Sequence, residues 1–145
     1  MGCICADRLN MYMKTALIFL LFLSINAQAQ QTNDVQAYQQ QLDKGIEQYN
    51  RNNFDSAVLY FESAFKLGQL IYTEKDDELE FILGYLGAGY YQLEQYKNAE
   101  KTMLLALKFV RDKLGKKHPK NFTHLNNLGQ LYINIREYNN ALPML

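Results

Sequence analysis

Apolar or small positions recur at steps of three and four along most of the chain, in stretches separated by short polar runs. Leu83, Leu86, Gly87 and Tyr90 form one such stripe, and Ala99, Met103, Ala106, Leu107 and Val110 form the next. That spacing predicts amphipathic helices. The pattern then returns. Gly45, Gly87 and Gly129 stand 42 residues apart, as do Ala57, Ala99 and Ala141, and the rings Phe54, Tyr96 and Tyr138 keep the same step. Three markers on one period describe copies of one unit: a helix, three or four polar residues, an aromatic, and a second helix opening near the alanine. Two amphipathic helices joined by a short turn cannot bury their apolar face alone, so each unit is expected to stack on the next. The expected fold is all-α, a helical-hairpin solenoid of about two and a half repeats.

A glycine inside a helix costs about 1 kcal/mol relative to alanine. Finding one at the same helical position in each copy predicts a close approach by a neighbouring helix, with the alanine twelve residues on as the small residue facing it. The aromatic is expected to plug the turn, and Ala64 and Ala106 to admit the first helix of the following copy.

The sequence Leu-Gly-x-x-Tyr at Leu86 to Tyr90 and Leu128 to Tyr132, with the aromatic and alanine at Tyr96 and Ala99 and at Tyr138 and Ala141, resembles the tetratricopeptide repeat. The common form of that repeat has 34 residues, and the eight further residues here lengthen the helices. Leu114, Gly115, His118 and Pro119 between copies, followed by Leu125 to Gly129, resemble the kinesin-light-chain type of bacterial exported proteins. The resemblance covers residues 34–145. The first copy departs from it at Gln41 and Lys44, and its stripe reads Tyr38, Leu42, Ile46 and Tyr49.

The N-terminus carries a different signal. After Lys14, residues 16–25 form an apolar run of ten, followed by small residues at Ala27 and Ala29. This is the pattern of a signal peptide over residues 1–29, cleaved after Ala29, in a protein that is exported to the periplasm or secreted. The run is shorter than the roughly 20 apolar residues of a membrane span, so no stable membrane insertion is expected after cleavage. Residues 1–10 fit the pattern less well than a start at Met11 or Met13, and read as an over-extended start. Cys3 and Cys5 precede the apolar run, so the mature segment 30–145, the repeat region, has no cysteine.

That segment holds 13 basic and 14 acidic residues. A net charge near −1 gives no reason to expect nucleic acid as a partner. The basic residues Arg111, Lys113, Lys116, Lys117, His118 and Lys120 follow a helix end, where cations sit well against the dipole and face solvent. The acidic residues Glu74, Asp76, Asp77, Glu78 and Glu80 open the helix of the preceding unit, where anions are favoured.

No catalytic constellation is present, so an enzyme is not expected, nor a cofactor or metal. His118 and His124 stand six apart, off one helical face, with no cysteine nearby, and a structural role is expected for each. Gly84, Gly87 and Gly89 lie within a helix rather than after a strand, which argues against a phosphate loop. The resemblance implies that the first helix of each unit lines a concave binding face. It brings Tyr91 and Gln92 of the second copy there, with Asn126, Gln130 and Asn134 of the third. These neutral groups suit the backbone amides of an extended peptide. The basic residues with which some members clamp an acidic C-terminus are missing at these positions.

Two functions follow as expectations. One is a scaffold that binds a protein or peptide. The other is a sensing or regulatory front end of a longer enzyme, since proteins of this resemblance carry a caspase-like CHAT protease or a sensor histidine kinase downstream. The third copy stops at Leu145, four residues after Ala141, with Pro143 in the first turn of its second helix. This reads as a piece of a longer array, with Leu125, Leu128, Leu142 and Leu145 under-covered and self-association through that end expected.

Overall fold

A computed structural model describes residues 3–73 and 77–142, with side chains from Met13 onward. Glu74, Asp76, Pro143 and Leu145 lie outside the described residues, as do Met1 and Gly2. The described residues are helical throughout, joined by short turns: α1 (Cys3–Asn50), α2 (Phe54–Ile71), α3 (Asp77–Gln92), α4 (Tyr96–Leu114), α5 (Lys120–Asn134) and α6 (Tyr138–Ala141). The chain divides into two units, Met1–Asp34 and Val35–Leu145.

In the first unit the apolar run is uncovered. Leu17, Phe19, Phe22 and Ile25 each expose more than 60% of their surface. Residues 17 to 23 are consecutive and all exposed, so the helix is apolar on every side. Ser24 and Asn26 spend their side chains on the helix's own carbonyls, Leu21 at 2.8 Å and Phe22 at 2.7 Å. Such a segment is built for an apolar environment that the unit itself does not supply. Among the described residues no helix is long and apolar enough to cross a membrane.

In the second unit successive helices pair across short turns, with α2 packing on α3, α3 on α4, α4 on α5 and α5 on α6. The stripe expected for the first copy is the one that turns inward: Tyr38 and Leu42 are buried with Phe61, Ala64, Ile82 and Leu86, and Ile46 and Tyr49 pack on that cluster. Met103, Leu107, Leu128 and Leu131 form a second cluster, and Leu79, Leu83, Ala106 and Phe109 a third. Leu128 is fully buried, contrary to the expectation of an under-covered end, because its cluster includes Met103 and Leu107 of α4. Leu142 remains 73% exposed.

The close approach at the glycines is real, but its partner differs from the expected alanine. A Cβ on Gly45 would lie 2.6 Å from the Phe61 ring, and one on Gly87 2.9 Å from Met103 Cγ. Both partners sit sixteen residues on, one helical turn beyond the alanine, where a large side chain leans back across the facing helix.

The alanines have another task. Asn52, Glu94 and Arg136 adopt φ of 61°, 58° and 63°, again 42 residues apart. At each, two backbone bonds close the first helix. The amides of Asn53, Gln95 and Glu137 donate to the carbonyls of Gln48, Tyr90 and Tyr132 at 2.9, 2.9 and 2.8 Å. Those of Asn52, Glu94 and Arg136 donate to Tyr49, Tyr91 and Ile133 at 3.0, 3.0 and 3.1 Å. This pair of bonds around a left-handed residue is the Schellman helix stop. The carbonyls of Asn53, Gln95 and Glu137 then accept from Ala57, Ala99 and Ala141, opening the second helix. The marker alanine is thus the buried residue that makes the new helix's first bond of the i to i−4 kind. The aromatic beside it packs edge-on against the end of the first helix, Phe54 on Tyr49 at 5.3 Å and Tyr96 on Tyr91 at 6.1 Å. It covers the turn rather than plugging it, and Tyr138 is 58% exposed.

Candidate functional site

The outward line of α3 changes character along its length. Phe81, Gly84, Tyr85, Ala88 and Tyr91 follow one another at steps near three and four, so they share a face. Phe81 is exposed and meets Tyr85 edge-on at 5.1 Å, and Tyr85 in turn meets Tyr49 of α1 at 5.6 Å. Around Gly84 a Cβ would meet nothing. Toward the C-terminal end, Ala88 and Tyr91 line a recess of about 150 Å³ with Met103, Asn127 and Gln130. No charged side chain lines it.

Three of the five residues expected to bind a partner are brought together here. The Asn134 side-chain amide donates to the Tyr91 hydroxyl oxygen, and Gln130 Nε2 donates to Asn134 Oδ1 at 3.2 Å. A chain of neutral polar groups therefore runs from α5 to α3. Gln92 and Asn126 are exposed but stand outside this chain of bonds. Asn127, three residues before Gln130, lines the recess, and Asn126, four before it, does not. Both spacings are helical, so spacing in the sequence could not choose between them.

Behind this face, tyrosines tie each pair to the preceding one. Tyr90 donates its hydroxyl to Glu62 of α2, and Tyr132 donates to Glu100 of α4 at 2.7 Å. Burial, then the Glu62 carboxylate, holds Tyr90 well above the ordinary phenol range. Burial and Glu100 push Tyr132 up to about 12.

The acidic and basic runs meet instead of facing solvent separately. Asp77 at the start of α3 pairs with Lys113 at 2.9 Å and Lys120 at 3.3 Å. Glu80 pairs with Lys120 at 2.5 Å and with the buried His124 at 2.7 Å. Burial pulls the Glu80 carboxyl upward, but hydrogen bonds from His124 and Lys120 outweigh it and hold the group below its ordinary value. Asp77 is lowered by Lys113 and Lys120. His118 accepts the Lys120 backbone amide at 3.2 Å. Buried Asn121 donates to the carbonyls of Gly115 at 2.8 Å and His118 at 2.9 Å. His118 thus serves the connection between α4 and α5, and His124 ties α5 to Glu80 of α3.

Compared with family models and with curated proteins, the chain matches none.

Proposed function

We propose that the chain is an exported helical-repeat scaffold of the tetratricopeptide kind, which binds a protein or peptide partner and performs no catalysis itself. The observation that carries this is the linked group Tyr91, Asn134 and Gln130 on two successive first helices, beside an uncharged recess. Among the described residues the Tyr91 hydroxyl proton and the Gln130 carbonyl are left for a ligand. One donor and one acceptor on neighbouring helices match the alternating groups of an extended peptide backbone. The aromatic end of α3, about 10 Å from Ala88 at 1.5 Å per residue, offers a seat for an apolar side chain some three peptide residues away. The uncovered apolar helix before Ala27 and Ala29 supports export.

The test is panning of the full chain against a library of uncharged extended peptides containing one aromatic anchor. Binding is expected, and Tyr91→Ala with Gln130→Ala should weaken it about tenfold or more, as loss of central contacts does. Peptides that bind the doubly substituted chain equally well, while its helical circular dichroism is unchanged, would sink the reading. Export is tested by N-terminal sequencing of protein from the periplasm, which should begin at Gln30. A chain retained inside the cell with residues 1–29 attached contradicts it.

A further inference from the structure

A cavity larger than that recess lies on a different set of helix faces, and no residue of the expected site lines it. It is a groove of about 430 Å³ between α2 and α4, floored by α3. That volume falls within the range of small-molecule sites, about 300 to 1,000 Å³. Leu83 and Leu86 form its floor, Phe65 and Leu105 its apolar walls. Each wall also carries one cation, Lys66 on α2 and Lys101 on α4. Neither forms a salt bridge among the described residues. Other lysines of this unit do find carboxylates, Lys108 at Asp112 and Lys113 and Lys120 at Asp77. Lys66 and Lys101 are both exposed, and an anion seated between the walls is attracted by each. The single carboxylate in the groove, Glu62, accepts the Tyr90 hydroxyl at one end.

We propose that this groove binds an amphipathic carboxylate of medium chain length, its head shared by Lys66 and Lys101 and its tail on Phe65, Leu105 and the leucine floor. The lined stretch of each wall, Glu62 to Gln69 and Asn98 to Leu105, is about 10 Å long at the helical rise, which suits a ligand of roughly eight carbons, its head included. The apolar lining sets the direction: Phe65 and Leu105 both pack on the cluster that holds Leu83, so the tail lies there, while the Glu62 charge opposes an anionic head. The site is independent of the peptide face, since the two share no lining residue.

Titration of the isotope-labelled full chain with octanoate, octanol and octyltrimethylammonium, followed by amide resonances, tests the proposal. Octanoate is expected to shift Phe65, Thr102 and Leu105 saturably, and to bind at least about tenfold more tightly than the alcohol or the cation. Lys66→Gln and Lys101→Gln should each weaken octanoate about twofold to fivefold, the scale of one exposed charge pair, while Glu62→Gln should strengthen it. Equal binding of octanol and octanoate overturns the assignment without recourse to any variant. So does an octanoate affinity that both lysine substitutions leave unchanged, an absence of binding at millimolar octanoate, or shifts centred on Tyr91 and Gln130.

Discussion

The two kinds of connection in the second unit are built on opposite principles. The turns within a pair are alike in backbone and unlike in sequence: Asn52, Glu94 and Arg136 share one φ and one pair of hydrogen bonds. The joints between pairs are unlike in the side chains that make them. Around the first, Tyr38 meets Tyr72 edge-on at 5.1 Å, and a Cβ on Gly68 would come within 3.2 Å of the Tyr38 ring. Burial, then Tyr72 and Glu78, pushes the Tyr38 hydroxyl up to about 12. One period later the position of Tyr38 is Glu80, and the joint becomes ionic through Lys120 and His124. The turn repeats because main-chain bonds define it, and those tolerate many side chains. The joint varies because its side chains need only satisfy one another, by contact or by charge.

Removing the central residue of each joint separates the two designs. Tyr38→Ala should cost about 3 kcal/mol or more, the scale for deleting a buried aromatic, read as a shift in urea midpoint. Glu80→Ala should cost less, about 1 to 3 kcal/mol, chiefly through the unpaired His124 and Lys120 left behind. Equal losses would mean that the ionic joint is as dependent on packing as the aromatic one.

Acid distinguishes them a second way. Glu80 and Asp77 are held below their ordinary values, so their contribution is complete above the usual carboxylate range, about pH 4.3. It is lost as pH falls through the lowered folded values, because the unfolded chain takes up protons first. Hydrogen exchange at pH 6 and pH 3 should show α5 losing protection before α2, after correction for intrinsic rates. In Glu80→Gln that difference should shrink. Protection that falls uniformly along the unit would contradict the comparison.

Glycine substitutions of opposite sign probe the packing within pairs. Gly84 faces open space, and Gly84→Ala should stabilise by up to about 1 kcal/mol through helix propensity. At Gly45 the same change drives a methyl to 2.6 Å from the fully buried Phe61 ring. Overpacking of this kind costs about 1 to 3 kcal/mol, so the net effect should be destabilising. Thermal midpoints of the two variants that move in the same direction would show the Phe61 ring to be free to give way.

Periodicity made the helices legible, since Leu83, Leu86 and Tyr90 could share an inward face only on a helix. It also located the glycines, but not what they face: a side chain leaning back from Phe61 or Met103 is a tertiary fact. The ionic joint was hidden for a similar reason. Asp77 and Lys120, or Glu80 and His124, stand 43 and 44 residues apart, and only tertiary packing makes such residues neighbours. Tyr91 and Asn134, 43 apart, were assigned to one face through the resemblance, and their side chains meet. Gln92 lies beside Tyr91 in sequence and off the line of contact, an error of one position that helical geometry turns into about 100°, whereas Asn126 shares the helical spacing of Gln130 and Asn134 without joining their bonds.

Least legible were the turns, because nothing in Leu-Glu-Gln or Ile-Arg-Glu announces a left-handed residue. A glycine there would relieve roughly 1 to 2 kcal/mol of strain per L-residue, offset by about 0.5 to 1 kcal/mol for the greater freedom of the unfolded glycine. Glu94→Gly and Arg136→Gly should therefore raise stability by about 0.5 to 1 kcal/mol each. Asn52→Gly should change it little, because asparagine already tolerates this conformation. Paired urea curves resolve shifts of this size when the slopes agree. If Glu94→Gly lowers the midpoint instead, the Glu94 side chain contributes to its turn, and the turns are no more uniform than the joints.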